Sequence, residues 1–198
     1  MKTQIFLIRH GITEGNKKKW YYGASDIPLD PEGEEEILIL KEEGIYPSCS
    51  EAGCYTSGLL RTEQTFSLIY GKKDHGHLAG LREMDFGEFE RKSHKDLMGT
   101  KAYEQWIGDE TRRTPPPGGE SVPQFKQRIS KAFADFLPVH CSQGNPASII
   151  ICHGGVIAAV LDEYFPEDPR NYFQWIPHPG RGYCLQLKGN KIVDFSEL

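Results

Sequence analysis

The stretch Ile5-Phe6-Leu7-Ile8-Arg9-His10-Gly11-Ile12-Thr13-Glu14-Gly15-Asn16 decides how the rest of the chain is read. Its apolar run, rich in β-formers, predicts a strand buried on both faces. Arg9, His10 and Gly11 follow at once, so two polar side chains sit where the chain leaves the core. In open α/β sheets, ligands bind in the crevice beyond the carboxyl ends of the strands. The same junction recurs far along the chain as Ala147-Ser148-Ile149-Ile150-Ile151-Cys152-His153-Gly154-Gly155. If the two strands are parallel neighbours, ~5 Å apart, both imidazoles converge on one small site.

A chain of 198 residues suits one domain with a sizeable core. The net charge of -5 offers no basic surface, so neither nucleic acid nor a membrane is expected as partner. Cys49, Cys54, Cys141, Cys152 and Cys184 are odd in number and lack metal-ligand spacing. Cys152 and Cys184 sit in apolar runs and read as reduced core thiols of a cytoplasmic protein. The amino-terminal apolar run is too short for a signal peptide or a membrane span. The sequence does not set an oligomeric state.

Working outward, Lys17-Lys18-Lys19 reads first as a solvated face and second as a steering patch for an anion. Asp30-Pro31 signals a helix start, with Ile37, Leu38 and Leu40 directed to the core and an end at Gly44. Ala52–Thr56 predicts a short strand feeding a helix whose inner face carries Leu60, Gln64 and Leu68. Arg61 falls in the first turn of that helix, where the helix dipole disfavours a cation but bound phosphate would welcome one. Leu78–Leu81 reads as another strand. The polar stretch 91–119, with Tyr103 and Trp106 on a helix and then Pro115-Pro116-Pro117-Gly118-Gly119, has the composition of a lid-like insertion. Glu120–Leu137 is an amphipathic helix, Val156–Leu161 a buried one, and Tyr183–Leu187 with Lys191–Phe195 a hairpin around Gly189-Asn190. Strands alternating with helices predict a three-layer α/β/α domain, and the hairpin makes its sheet mixed.

Residue types at the two junctions suit phosphoryl transfer, which needs a nucleophile, positive charge around the equatorial oxygens, and an acid for the leaving group. His10 is the candidate nucleophile, one ring nitrogen tied to a backbone carbonyl that Gly11 allows to come close. Arg9 and Arg61 supply forked donors, Asn16 a neutral one, and His153, when protonated, a third cation. Glu83 is the candidate general acid and then base, with Asp85, Glu88 and Glu90 nearby as competitors for that role. Taken alone, a histidine after a strand is more often structural than catalytic. Two His-Gly junctions accompanied by Arg61 weigh the other way. His75, His77, His94, His140 and His178 have no such context and read as surface residues. No metal is expected at His10 and His153, because no Cys or carboxylate stands at ligand spacing and two arginines would repel a cation. No cofactor is expected either.

The runs Arg9-His10-Gly11-x-Thr13-x-x-Asn16, Ser57-x-Leu59-x-Arg61-x-x-Gln64-Thr65, Leu81-Arg82-Glu83-x-Asp85-Phe86-Gly87-Glu88, Pro117-Gly118-Gly119-Glu120-Ser121 and His153-Gly154-Gly155 together resemble the histidine phosphatase (phosphoglycerate mutase-like) superfamily. The resemblance implies a six-stranded mixed, mostly parallel sheet with the first and fourth strands adjacent. It also implies that backbone N–H groups of Gly23 and Gly154 face the substrate. Three positions depart from the pattern: Tyr22 stands where many relatives carry Gln, Arg91 where many carry Gly, and Ala158 where many carry Arg. Phosphoglycerate mutases of this type resemble longer chains with an extra segment before the lid, which favours a phosphatase here. Asp85–Glu90, Tyr103-x-x-Trp106-Ile107 and Pro117–Ser121 look most like bacterial α-ribazole phosphatases of cobalamin synthesis, so a small-molecule phosphomonoester such as α-ribazole phosphate is the expected substrate. A cofactor-dependent phosphoglycerate mutase, a broad-specificity phosphatase and a non-catalytic phospholigand-binding domain are the alternatives. Trp20, Tyr21, Tyr22 and Trp106 suit either stacking on a base or packing of the lid.

Overall fold

The two His-Gly strands lie side by side. In the computed structural model, which describes residues 2–142 and 144–198, β1 (Lys2–Arg9) is followed by α1 (Glu14–Lys17), β2 (Trp20–Tyr21), α2 (Pro31–Glu42), β3 (Ala52–Thr56), α3 (Leu60–Tyr70) and β4 (Gly76–His77). Next come β5 (Lys92–Ser93), the short α4 (His94–Leu97) and α5 (Lys101–Ile107), and the long α6 (Val122–Ser142). β6 (Ala147–Cys152), α7 (Gly154–Tyr164), β7 (Gly182–Lys188) and β8 (Lys191–Glu197) complete the chain. The main sheet has six strands in the order β4-β3-β6-β1-β7-β8. Its first four are mutually parallel, and the β7–β8 hairpin adds the antiparallel edge. Arg9 pairs with Cys152 in register, so His10 and His153 leave the sheet at the same level.

Alternation along the central strands explains the three layers. Ile5, Leu7, Ile150 and Cys152 face α6 and α7, joining Phe125, Ile129, Phe133 and Ile157. Phe6, Ile8, Ile149 and Ile151 face the opposite layer, with Ile37 of α2 and Phe66 and Ile69 of α3. Each fully buried side chain of this size is worth ~1.5–3 kcal/mol against exposure, and that drives strand residues of both parities inward. Residues 91–119 pack their own small cluster: Tyr103 and Leu97 meet Phe89, with Tyr21 and Trp106 against them. β5 also pairs antiparallel with β2, tying this stretch to the Trp20–Tyr22 loop. Among the described residues no helix is long and apolar enough to cross a membrane.

Several local expectations are corrected. Leu78–Leu81 is not a strand: pairing stops after β4, and Ala79–Leu81 turns as a 3-10 helix. The turn brings Gly80 so near α6 that a Cβ there would stand 2.6 Å from Ala132 Cβ. In α2, Ile37 and Leu40 are buried but Leu38 is exposed, because the core-facing face continues from Gly33 to Ile37 and Leu40. α2 does end as expected, with Gly44 at φ 74° just beyond its carboxyl cap. The inner face of α3 is Arg61, Thr62, Thr65, Phe66 and Ile69, one residue on from the expected Leu60, Gln64 and Leu68, of which Leu60 is exposed. α6 starts after Ser121, whose hydroxyl accepts from Gln124 N while Gln124 Oε1 accepts from Ser121 N. It runs past Pro138 to Ser142. Its last turns are held by His140, which is buried between Ser148 Oγ (2.8 Å) and Thr3 Oγ1 (2.9 Å) rather than on the surface. The Lys17–Lys19 run is solvated, with Lys17 paired to Asp30 and Glu32 and Lys18 to Glu14.

Candidate active site

At the carboxyl ends of β1 and β6, the His10 and His153 rings meet edge to face with centroids 5.2 Å apart. Both are buried, at 3% and 0% exposure. His10 Nδ1 lies 2.7 Å from the Gly11 carbonyl. A carbonyl only accepts, so Nδ1 carries the proton and Nε2 keeps its lone pair. Gly11 is required for a second reason besides that contact: a Cβ there would stand 2.9 Å from Ile37 Cγ1 and 3.0 Å from the Gly33 carbonyl of α2. Burial, then the charges of Arg61 and Arg9, push the His10 pKa well below its ordinary value. The imidazole is therefore neutral and nucleophilic at physiological pH.

Burial and the same arginines, with His10, hold His153 neutral as well. The positive charge expected on His153 is therefore disfavoured by its burial and by the arginines beside it. Ser57 Oγ lies 2.8 Å from His153 Nε2 and fixes the ring, a positioning role the sequence reading did not assign.

Arg61, fully buried, reaches from the first turn of α3 and donates through Nη1 to Ser25 O (2.8 Å) and through Nη2 to Gly23 O (2.9 Å). Arg9 Nη1 donates to Pro177 O at 2.7 Å. Among the described residues, Arg9 Nε, Arg61 Nε and His153 Nδ1 are buried with no hydrogen-bond partner in the protein. Buried polar nitrogens are rarely left so, and all three belong to residues that neighbour His10.

The loop that anchors Arg61 is itself held by Glu90. Its carboxylate accepts from Gly23 N (2.9 Å), Ala24 N (3.0 Å), Ser25 N (3.0 Å) and Phe86 N (3.1 Å). This corrects the expectation for Gly23: its N–H is committed to Glu90, and its glycine is demanded by Met84, whose carbonyl oxygen would lie 1.7 Å from a Cβ. Gly154 opens α7 directly against Arg9, whose Nε would stand 3.2 Å from a Cβ there. Glu83 projects at the same helix start, Oε2 accepting from Gly155 N (2.9 Å) and Oε1 from Met84 N (3.0 Å). Of Glu83, Asp85, Glu88 and Glu90, Glu83 alone lines the cavity beside His10. Asn16 uses Oδ1 to cap α1 through Thr13 N (2.9 Å), which leaves its amide NH2 as the group able to donate into the cavity it lines.

Arg9, His10, Asn16, Glu83 and Gly154 lie along one cavity of about 820 Å³. Its outer walls are aromatic, including Trp20, Tyr21, Tyr22, Phe86, Trp106 and Phe173. Tyr22, one of the departures noted above, takes a hydrogen bond from Thr13 Oγ1 (2.8 Å) and lies over the Arg61 guanidinium at 5.2 Å. Arg112, with its guanidinium 4.8 Å over Phe173, also reaches the wall. Arg112, Tyr172 and Phe173 carried no local signal of this role, because only tertiary packing brings them to the cavity.

The family model described as histidine phosphatase superfamily (branch 1) matches residues 5–193. The chain is 31% identical over 163 residues to a "Probable phosphoglycerate mutase GpmB" of Salmonella choleraesuis, covering 80% of this chain and 73% of that protein. It is 28% identical over 172 residues to a 2,3-bisphosphoglycerate-dependent phosphoglycerate mutase of Rhizobium etli, covering 79% and 77% of the two chains. Among solved structures, the α-ribazole phosphatase of Shigella flexneri superposes with a TM-score of 0.83 at 25% identity, over 96% of this chain and 93% of that one.

Proposed function

The chain belongs to the histidine phosphatase superfamily, and on that premise we propose that it hydrolyses a small-molecule phosphomonoester through a phosphohistidine on His10. One observation carries the reading: a neutral histidine with a committed Nδ1 beside three buried nitrogens that lack protein partners. The His10 Nε2 lone pair attacks phosphorus as the bond to the leaving oxygen breaks, and Glu83 gives that oxygen its proton. Water then attacks the phosphohistidine while Glu83 takes the proton back, and the phosphorus–nitrogen bond breaks to return neutral His10. Arg9, Arg61, Asn16 and His153 stabilise charge on the equatorial oxygens, preorganised by the β1, β6, α1 and α3 termini. No metal enters these steps. Residues 91–119 serve as the lid of a single domain spanning 1–198, and the expected compartment is the cytoplasm.

α-Ribazole phosphate of cobalamin synthesis is the candidate substrate. The aromatic walls suit a flat, base-like leaving group, and the Shigella protein of the same fold carries that name. A mutase is the second reading, favoured by the names of the curated relatives. Hydrolysis of an aryl phosphate without added metal, compared with His10→Ala, tests the chemistry. Turnover is expected in the wild type and lost in the variant. Unchanged activity in His10→Ala, or a strict need for a divalent ion, would end the proposal. Release of free phosphate from α-ribazole phosphate in preference to 2-/3-phosphoglycerate interconversion decides between the two readings.

A further inference from the structure

Away from this cavity, at the β4 edge of the sheet, three side chains able to ligate metals meet. Glu63 on α3, His75 and His77 place their ligand atoms within 4.8 Å of one another. Sequence alone gave His75 and His77 no partners. Here His75 Nε2 stands 2.8 Å from Glu63 Oε2, and His77 Nε2 stands 3.4 Å from Glu63 Oε1. His75 Nδ1 lies 3.1 Å from the Lys73 carbonyl. Because a carbonyl only accepts, Nδ1 carries a proton, and Nε2 is the nitrogen that faces the carboxylate. Their 2.8 Å spacing is that of a hydrogen-bonded pair, and a metal ion binding here would take the place of the Nε2 proton. The surroundings favour a metal. The Lys73 carbonyl fixes the ligating tautomer of His75, as a supporting hydrogen bond does for metal-bound histidines. Phe66 packs on the same ring with centroids 4.2 Å apart. Thr56 Oγ1, which accepts from Gly58 N, directs its own proton to Glu63 Oε1 and orients the carboxylate.

We propose that Glu63, His75 and His77 bind a borderline divalent transition-metal ion, zinc being the best match. Two imidazoles and a carboxylate are ligands that zinc takes, with a fourth position left to water. Bonds of ~2.0–2.1 Å place ligand atoms of a tetrahedral zinc site a little over 3 Å apart. The His77–Glu63 distance of 3.4 Å already has that spacing, and His77, with 61% of its side chain accessible, has room to adjust its distance to His75. The ion would clamp the two-residue strand β4 to α3. The site is separate from the histidine pair and does not depend on the function proposed above.

Titration of the metal-stripped protein with zinc chloride is expected to show one site per chain, and cobalt(II) to give visible absorption of a low-symmetry, low-coordinate complex. His77→Ala and Glu63→Gln should each weaken zinc binding more than tenfold. His178→Ala, at another exposed histidine, should leave it unchanged. Zinc at about a hundred times its Kd should raise the Tm of the wild type by roughly 5–10 °C, and not that of His77→Ala. Aryl phosphatase turnover of His77→Ala should match the wild type, which separates this inference from the catalytic one. Absence of saturable zinc binding, or equal binding by His77→Ala and His178→Ala, would overturn it.

Discussion

Replacing Glu83 by Gln isolates the proton-transfer role from shape. The side chain keeps its volume and its place at the start of α7, but the carboxylate that accepts from Gly155 N and Met84 N becomes an amide with one acceptor. One of these two N–H groups then faces an NH2. Leaving such a donor unpaired costs ~1–3 kcal/mol of stability, or roughly 2–12 °C in Tm for a chain of this size. The variant should therefore be assayed well below its Tm. General acid–base catalysis contributes ~10²–10⁴-fold, about 2.7–5.4 kcal/mol at 1.36 kcal/mol per decade. That full loss is expected for alkyl phosphates, whose leaving oxygen needs a proton. For a nitrophenyl phosphate, whose leaving group departs as the anion, rapid-quench measurement of the first phosphorylation should show a much smaller loss. Trapped phosphohistidine should then accumulate, because water still lacks its base. Equal losses in the phosphorylation step for both leaving groups, or alkyl phosphate turnover within threefold of wild type, would refute the assignment of Glu83.

His10, His153 and His140 are each held below their ordinary pKa by burial, so the folded chain binds fewer protons than the unfolded one. Their contribution to stability is complete above pH ~6.5 and is lost as pH falls, by up to ~1.4 kcal/mol per pH unit for each histidine. Urea unfolding at pH 7 and pH 5.5 checks this, and a flat or rising stability on acidification would contradict it. Arg91 sits at φ 59°, in the left-handed region, while its N–H donates to Tyr21 O. Arg91→Gly should raise stability by up to ~1 kcal/mol in the same assay, and a loss would show that the Arg side chain compensates. Glu90→Gln weakens the three N–H contacts that seat residues 23–25 and a fourth from Phe86 N. Charge-assisted bonds are each worth ~1.5–3 kcal/mol, so a stability loss of at least ~2 kcal/mol is expected. Because Gly23 and Ser25 anchor Arg61, weaker competition by inorganic phosphate should accompany it. Unaltered phosphate inhibition would separate Glu90 from the site.

Much of this protein was legible locally. The apolar runs 5–8 and 149–151, the Asp30-Pro31 start and Gly44 end of α2, and the Gly189-Asn190 hairpin depend on neighbours a few residues away, and each stands as the sequence predicts. The boundaries that shifted, at Leu78–Leu81, on the inner face of α3 and beyond Pro138, are those where packing against a distant element outweighed local pattern. Pairing of β1 with β6 was an expectation from two matching junctions, and only the assembled sheet sets Arg9 opposite Cys152.

By itself the sequence determined the layered α/β class, the two His-Gly junctions and the residue types of a phosphoryl-transfer site. The tertiary structure alone decided that Gly23 serves Glu90, that Ser57 holds His153, that aromatic residues from separate segments wall one cavity, and that His75 and His77 share Glu63. The division follows from the range of the forces. Periodicity, capping and turn chemistry are settled within a few residues of the chain, whereas hydrogen bonds between segments and the burial that lowers a histidine pKa exist only once residues distant in sequence share the same low-dielectric interior.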